Sequence, residues 1–290
     1  MTAGDYGPPV DRLLTLGDLR GEGEWRDYRQ YGLGPEHVPD LIRMATDDAL
    51  NWGDSESAEV WAPVHAWRAL GQLHVEVAIE PLLGQFEGQD DSDWFNEDMP
   101  EVFSLIGPVA IPALRTYLHD PAHGEWPRIT ATRCLAKIGQ DHPDARSDCA
   151  AALAGQLEAF RDNGEILNAQ LIYGLTELRA EESLPLIERA FAAEAVDLAL
   201  MGDWEDVQIE FGVKAERDTP RPNYVAQAMG IDPELFERLG QLVDHEPAPL
   251  PAPPPAAEPT AAQRRAAAER KAKGKRKAAR QSRRQNRRRR

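Results

Sequence analysis

The chain has 290 residues, 42% hydrophobic and only 7% aromatic, a balance that suits a soluble helical protein rich in Ala and Leu. No apolar run approaches the ~18 residues needed to span a bilayer, and no basic stretch followed by an apolar core opens the chain. The formal charge of −16 hides an asymmetry: residues 245–290 carry 15 Lys/Arg against three acids, net +12, which leaves −28 on residues 1–244.

Residues 1–36 form an N-terminal segment, Gly- and acid-rich over residues 1–30, with one short helix predicted around Val10-Asp11-Arg12-Leu13-Leu14. A first helix is predicted from Val38 to Leu50, followed by a recurring pattern over residues 37–244. In that pattern a helix ends in Leu/Ile-Gly or a variant, a short turn follows, and a second helix opens near Ile/Leu-Pro. The copies are Leu70-Gly71 with Ile79-Glu80-Pro81, Ile106-Gly107 with Ile111-Pro112, Ile138-Gly139 with Pro143, and Tyr173-Gly174 with Leu184-Pro185. Aligning Leu73, Ile106, Ile138 and Leu178 gives spacings of 33, 32 and 40, the range of two-helix repeats. Glycine is expected to end each first helix in the left-handed conformation, and proline to occupy the first turn of the second. One apolar stripe per helix cannot be buried by a single hairpin, so neighbours must stack. Tyr224–Met229 and Pro233–Val243 read as a closing pair, with Asp232 at the cap.

Residues 245–259 form a Pro-rich linker; the seven prolines within 247–259 favour a polyproline-like spacer of up to about 40 Å. Residues 260–290 are an Arg/Lys-rich tail opened by Thr260-Ala261-Ala262-Gln263, a capping-box sequence. Its like charges favour disorder, with partial helix on an acidic partner.

The repeats resemble HEAT-like repeats of the phycobilisome-lyase type. The stretches Tyr31-Gly32-Leu33-Gly34-Pro35-Glu36-His37-Val38-Pro39-Asp40-Leu41-Ile42-Arg43-Met44 and Trp61-Ala62-Pro63-Val64-His65-Ala66-Trp67-Arg68-Ala69-Leu70 are similar to an uncharacterised group of bacterial HEAT-repeat proteins. The resemblance spans residues 10–215. It implies an all-α fold, an α-α superhelix or HEAT-like solenoid, and says little about function.

The tail is the strongest functional signal. Arg264, Arg265, Arg270, Lys271, Lys273, Lys275, Arg276, Lys277, Arg280, Arg283, Arg284, Arg287, Arg288, Arg289 and Arg290 would attract phosphate backbones of RNA or DNA, or an acidic protein. With no aromatic residue to stack on bases, recognition should tolerate any sequence. Lys273-Gly274-Lys275-Arg276-Lys277 would also pass as a nuclear signal in a eukaryotic host. The acidic body offers two clusters for a basic protein segment, an unidentified partner or its own tail. One is Glu87, Asp90, Asp91, Asp93, Glu97, Asp98 and Glu101, with Trp94 among them; the other is Asp203, Glu205 and Asp206 around Trp204. Their alternative is a solvated ridge. Trp61 and Trp67 are candidates for an aromatic peptide-binding patch or, alternatively, for core packing.

Cys134 and Cys149 lie in Ala-rich helical sequence and read as buried thiols. The seven histidines make no His-Glu-x-x-His motif, and no nucleophile elbow or phosphate loop occurs. Neither acidic cluster has the spacing of a calcium loop. The expectation is a cytoplasmic, non-enzymatic scaffold without metal or cofactor. The alternatives are a nucleic-acid adaptor anchored by its tail and, from the repeat resemblance, a HEAT-fold lyase.

Overall fold

A computed structural model describes residues 6–20, 24–53, 57–89, 92–232 and 235–236. The chain divides into two units, Met1–Ile231 and Asp232–Arg290. In the second, Asp232 Oδ1 accepts from the backbone N–H of Leu235 at 3.2 Å. The rest of the expected closing helix, the linker and the whole basic tail lie outside the described residues.

Every described element of the first unit is helical. The first-row helices are α1 (Val38–Ala45), α3 (Ala62–Gln72), α5 (Asp93–Ile106), α7 (Glu125–Asp141), α9 (Glu165–Glu177) and α11 (Leu198–Met201), each packed on the next. The second row is α4 (Ile79–Leu83), α6 (Ile111–His119), α8 (Arg146–Leu157) and α10 (Leu184–Ala192). Both α6 and α8 pack on α7, and α8 also packs on α9. The short α2 (Asp48–Asn51) precedes α3, and α12 (Trp204–Glu210) and α13 (Tyr224–Ala228) follow the rows. The single helix expected from Val38 to Leu50 is broken between α1 and α2, because Asp47 is extended and its carboxylate caps the N–H of Ala49.

The two-row packing explains residue choice. Helices α5 to α9 together supply Phe95, Met99, Val102, Leu114, Leu135, Leu153 and Leu171 to one continuous core. Helix α7, flanked by α5, α6, α8 and α9, is buried on most of its surface by small side chains such as Ala131, Cys134 and Gly139. Both cysteines are buried and free, and burial pushes the Cys149 thiol up to about 12 and the Cys134 thiol further still.

The repeated glycines do two different jobs. Only Gly107, at φ +101°, is the left-handed terminator. Gly71, Gly139 and Gly174 lie within their helices and let neighbours approach: a Cβ on Gly71 would stand 3.2 Å from the Val102 Cα of α5. In three of the four copies a left-handed residue follows the aligned Leu or Ile, at His74 (φ 52°), Gly107 and Arg179 (φ 51°). Both non-glycine examples are tied to a later carbonyl. His74 Nδ1–H donates to Leu105 O at 2.5 Å, and the Arg179 guanidinium donates to Glu210 O. Those bonds offset the steric cost of the conformation.

The N-terminal segment covers α3. Its 3₁₀ turns, Val10–Thr15 and Tyr28–Tyr31, pack on a helix whose residues 62–71 are all buried. Polar groups lock the cover in place. Gln72 accepts from Tyr28 N–H and donates to Arg26 O, both at 2.8 Å. His65 Nε2–H donates to Gly17 O at 2.9 Å, so Nδ1 accepts from the Tyr28 hydroxyl at 2.7 Å.

Candidate protein-binding face

Where the N-terminal cover meets the first row, a cleft of about 810 Å³ opens between Trp25, α3 and α5. Its floor is an ion pair. The Arg68 Nε–H and Nη2–H donate to the two carboxylate oxygens of Asp98 at 2.7 and 2.9 Å, with both side chains 6% exposed. The flat guanidinium lies 4.6 Å from the Trp25 ring centre and 5.9 Å from that of Trp94, a cation–π contact with each indole. Burial pushes the Asp98 carboxyl above its usual range, with Arg68 opposing the shift and Glu97 and Glu101 adding to it.

The rim is acidic. Glu24 and Glu97 are exposed, and neither bonds to another described side chain. Glu101 is held 3.2 Å from Lys137 of α7. The cleft's other cation, Arg29, is occupied by Asp27 at 2.8 Å. With both arginines neutralised by their own carboxylates, the accessible excess is negative.

Trp94 belongs to a register that runs through the repeats. Trp61, Trp94, Trp126 and Ile166 each stand 12 residues before the aligned Leu73, Ile106, Ile138 and Leu178. Trp61 and Trp94 meet edge to face, with ring centres 5.2 Å apart. Arg20 lies over Trp61 at 5.7 Å. Trp126 is 56% exposed.

The expected site residues separate into three groups. Trp61, Trp94 and Asp93 lie at or beside the cleft, Asp93 exposed in the first turn of α5. Trp67 belongs to the core: it is 2% exposed, donates its indole N–H to Ala45 O at 2.9 Å, and packs edge-on against Phe95, so it presents no face to a partner. Asp203, Glu205 and Asp206 are not an open acidic groove. Arg217 bonds Asp203 and Asp206 at 2.6 and 2.7 Å, Arg221 bonds Asp206 at 3.2 Å, and Lys214 bonds Glu205. The cations lie eight or more residues downstream, in irregular chain, where helical spacing does not reveal the pairing. Trp204 packs partly buried beside Phe191. Asp91 and the fifteen tail cations lie outside the described residues.

Several histidines serve the scaffold. His119 and His142 donate to Ala152 O and Ser104 O at 3.2 and 2.8 Å, and His123 stacks on Tyr117 at 3.6 Å while bonding Glu87. Among the described residues no group of three or more His, Cys, Asp and Glu is placed to hold a metal ion, and no helix is long and apolar enough to cross a membrane.

Trp25, Arg29, Arg68 and Gln72 escaped the sequence reading of the site. The signal for Trp25 was a lone indole in an otherwise Gly- and acid-rich segment; the signal for Arg68 was a cation on a helix whose other positions are mostly apolar. Comparison with known families, with curated proteins and with solved structures gives no match to this chain.

Proposed function

We propose that the protein is an interaction scaffold of HEAT-like repeats, acting in the cytoplasm, whose first-row face binds a basic segment of a protein partner. The supporting observation is the cleft itself. Indole walls stand over an internally neutralised floor, and the carboxylates of Glu24 and Glu97 are left for an incoming cation. The −28 charge on residues 1–244 would steer such a segment toward the body.

The test uses the chain ended at residue 244, which keeps every buried hydrophobic residue described, the last being Ala226. Calorimetric titration with a short basic peptide at low salt should show binding that weakens as salt rises and weakens further in E24Q/E97Q. No heat with the basic peptide, or equal binding of an acidic peptide, overturns the reading.

A second reading rests on the tail: its fifteen cations support anchoring to RNA or DNA while the body recruits protein. The full chain should then co-sediment with nucleic acid at low salt, and the chain ended at 244 should not.

A further inference from the structure

We infer that a second cavity, sharing only Trp94 with the acidic cleft, binds a neutral nucleobase whose hydrogen-bonding edge pairs with the side-chain amide of Gln89. The inference is independent of the basic-segment reading, since it concerns a different pocket.

The cavity, of about 400 Å³, is formed where the end of α2 and the start of α3 meet the turn before α5. Its walls are apolar: Val60 and Val64, with Trp61 and Trp94 set edge to face at 83°. That size and lining fall within the range of small-molecule sites. None of its described lining residues is a carboxylate, whereas Glu24, Glu97, Asp98 and Glu101 line the cleft. Arg20 reaches its edge already paired with Asp18 at 2.6 Å. Such a lining suits an uncharged ligand, because a charge would lose its water and gain no free counter-ion.

Gln89 makes the cavity more than an apolar hollow. It follows the 3₁₀ turn Phe86–Gly88, whose buried Phe86 packs edge-on against Phe95, Phe103 and Tyr117, so the backbone beneath it is fixed. The Gln89 backbone carbonyl accepts from the Ser92 N–H at 2.9 Å. The residue is only 5% exposed, yet its side-chain amide bonds to no described residue. Sealed in apolar surroundings, that amide would carry its full desolvation cost. It is not sealed: among the described side chains only an Asp11 oxygen is both enclosed and unpartnered. The Gln89 amide therefore opens into the cavity it lines, with two N–H donors and a carbonyl acceptor unclaimed.

An amide of this kind beside aromatic rings matches the chemistry of a base. Its N–H and C=O, side by side, pair with an edge that presents an acceptor next to a donor, as adenine does with a ring nitrogen and its amino group. The indoles supply a surface on which any base can stack. Arg68, which meets Trp94 from the cleft, does not line this cavity, so it leaves that part of the indole to the ligand. A peptide is the poorer occupant, because a trans peptide bond holds its N–H and C=O on opposite sides and cannot meet one amide with both.

The test titrates the full chain with adenosine, following heat and tryptophan fluorescence, in about 0.5 M salt. That screens the basic tail and leaves the stacking and pairing of a neutral base in force. Adenosine should bind with a dissociation constant on the order of 0.1–1 mM, the range open to a ligand of its size. Its 6-dimethylamino analogue keeps the ring but loses the donor, and should bind about ten-fold more weakly. Gln89→Leu should bring both nucleosides to the same weak affinity, and an unchanged melting temperature shows that this variant is folded. If it does not fold, the comparison of the two nucleosides on the parent chain still decides. A short oligoadenylate separates the sources of the base: a gain over adenosine that Q89L abolishes places it in a strand, and no gain marks a free nucleoside. No binding of adenosine, equal binding of the two nucleosides, or a discrimination that survives in Q89L overturns the site and leaves the basic-segment reading untouched.

Discussion

Replacing Arg68 by Met should be the most damaging single change at the cleft. The change removes two charge-assisted hydrogen bonds, at 2.7 and 2.9 Å, and strands the Asp98 carboxylate in a site where only 6% of it is exposed. Breaking one side of a buried ion pair costs about 3–5 kcal/mol, because the remaining charge has lost both its partner and its water. Lost stacking against Trp25 and Trp94 adds about 1 kcal/mol. For a unit of this size the melting temperature should fall by roughly 10 °C. The double variant R68M/D98L should recover most of that loss, since apolar groups of similar volume owe no desolvation. The pH response has a definite sign. With Arg68 gone, nothing opposes the upward push of burial on the Asp98 carboxyl, so the folded variant takes a proton more readily than the unfolded chain. The R68M deficit should therefore shrink as pH falls from neutrality toward 5. Urea unfolding followed by circular dichroism and by tryptophan fluorescence measures all three stabilities. A loss below about 1 kcal/mol for R68M, or a double variant as unstable as the single one, would refute the reasoning.

Gly71→Ala should cost about 1–3 kcal/mol even though alanine is the better helix former, because its Cβ would meet the Val102 backbone at 3.2 Å; a neutral or stabilising change in melting temperature would contradict that. The network around α12 should loosen in acid. Asp203 and Glu205 are held below the usual carboxylate range by Arg217 and Lys214, Glu205 at about 2, so their stabilisation is present above pH 4.5 and is lost as pH falls toward 2. Hydrogen exchange should show α12 amides losing protection over that interval, and protection unchanged down to pH 3 would count against the assignment. Neither Cys134 nor Cys149 should react with a thiol reagent at pH 8 in the native protein, and both should react in denaturant; rapid native labelling would be inconsistent with burial that raises both thiols to about 12 or beyond.

Much of the helical architecture was legible along the chain, through spacing. Apolar residues at helical intervals and prolines opening second-row helices mark α4, α6 and α10 by local rules, because helix initiation depends on the few residues that supply caps and first turns. Glycine was misleading for a related reason. A Leu-Gly or Ile-Gly pair looks alike whether it ends a helix, as at Gly107, or admits a neighbouring backbone, as at Gly71. Only the distance to Val102 separates the two, and that neighbour lies in another repeat.

The tryptophans divide in the same way. Trp61, Trp94 and Trp126 share one repeat position, readable once Leu73, Ile106 and Ile138 are aligned, whereas Trp67 lies on the same helix as Arg68 and faces the core. Which residues complete the cleft could not be read from the chain, since Arg68 and Asp98 are 30 positions apart and Trp25 arrives from outside the repeats. By itself, then, the sequence determined the all-helical class and the separation of −28 on residues 1–244 from +12 on residues 245–290, because periodicity and formal charge are properties of the chain alone. Tertiary structure decided which acids are already neutralised and which indoles are covered. Those depend on what the stacking of α3, α5 and α7 brings within bonding distance, and charges many residues apart pair only after the helices between them have packed.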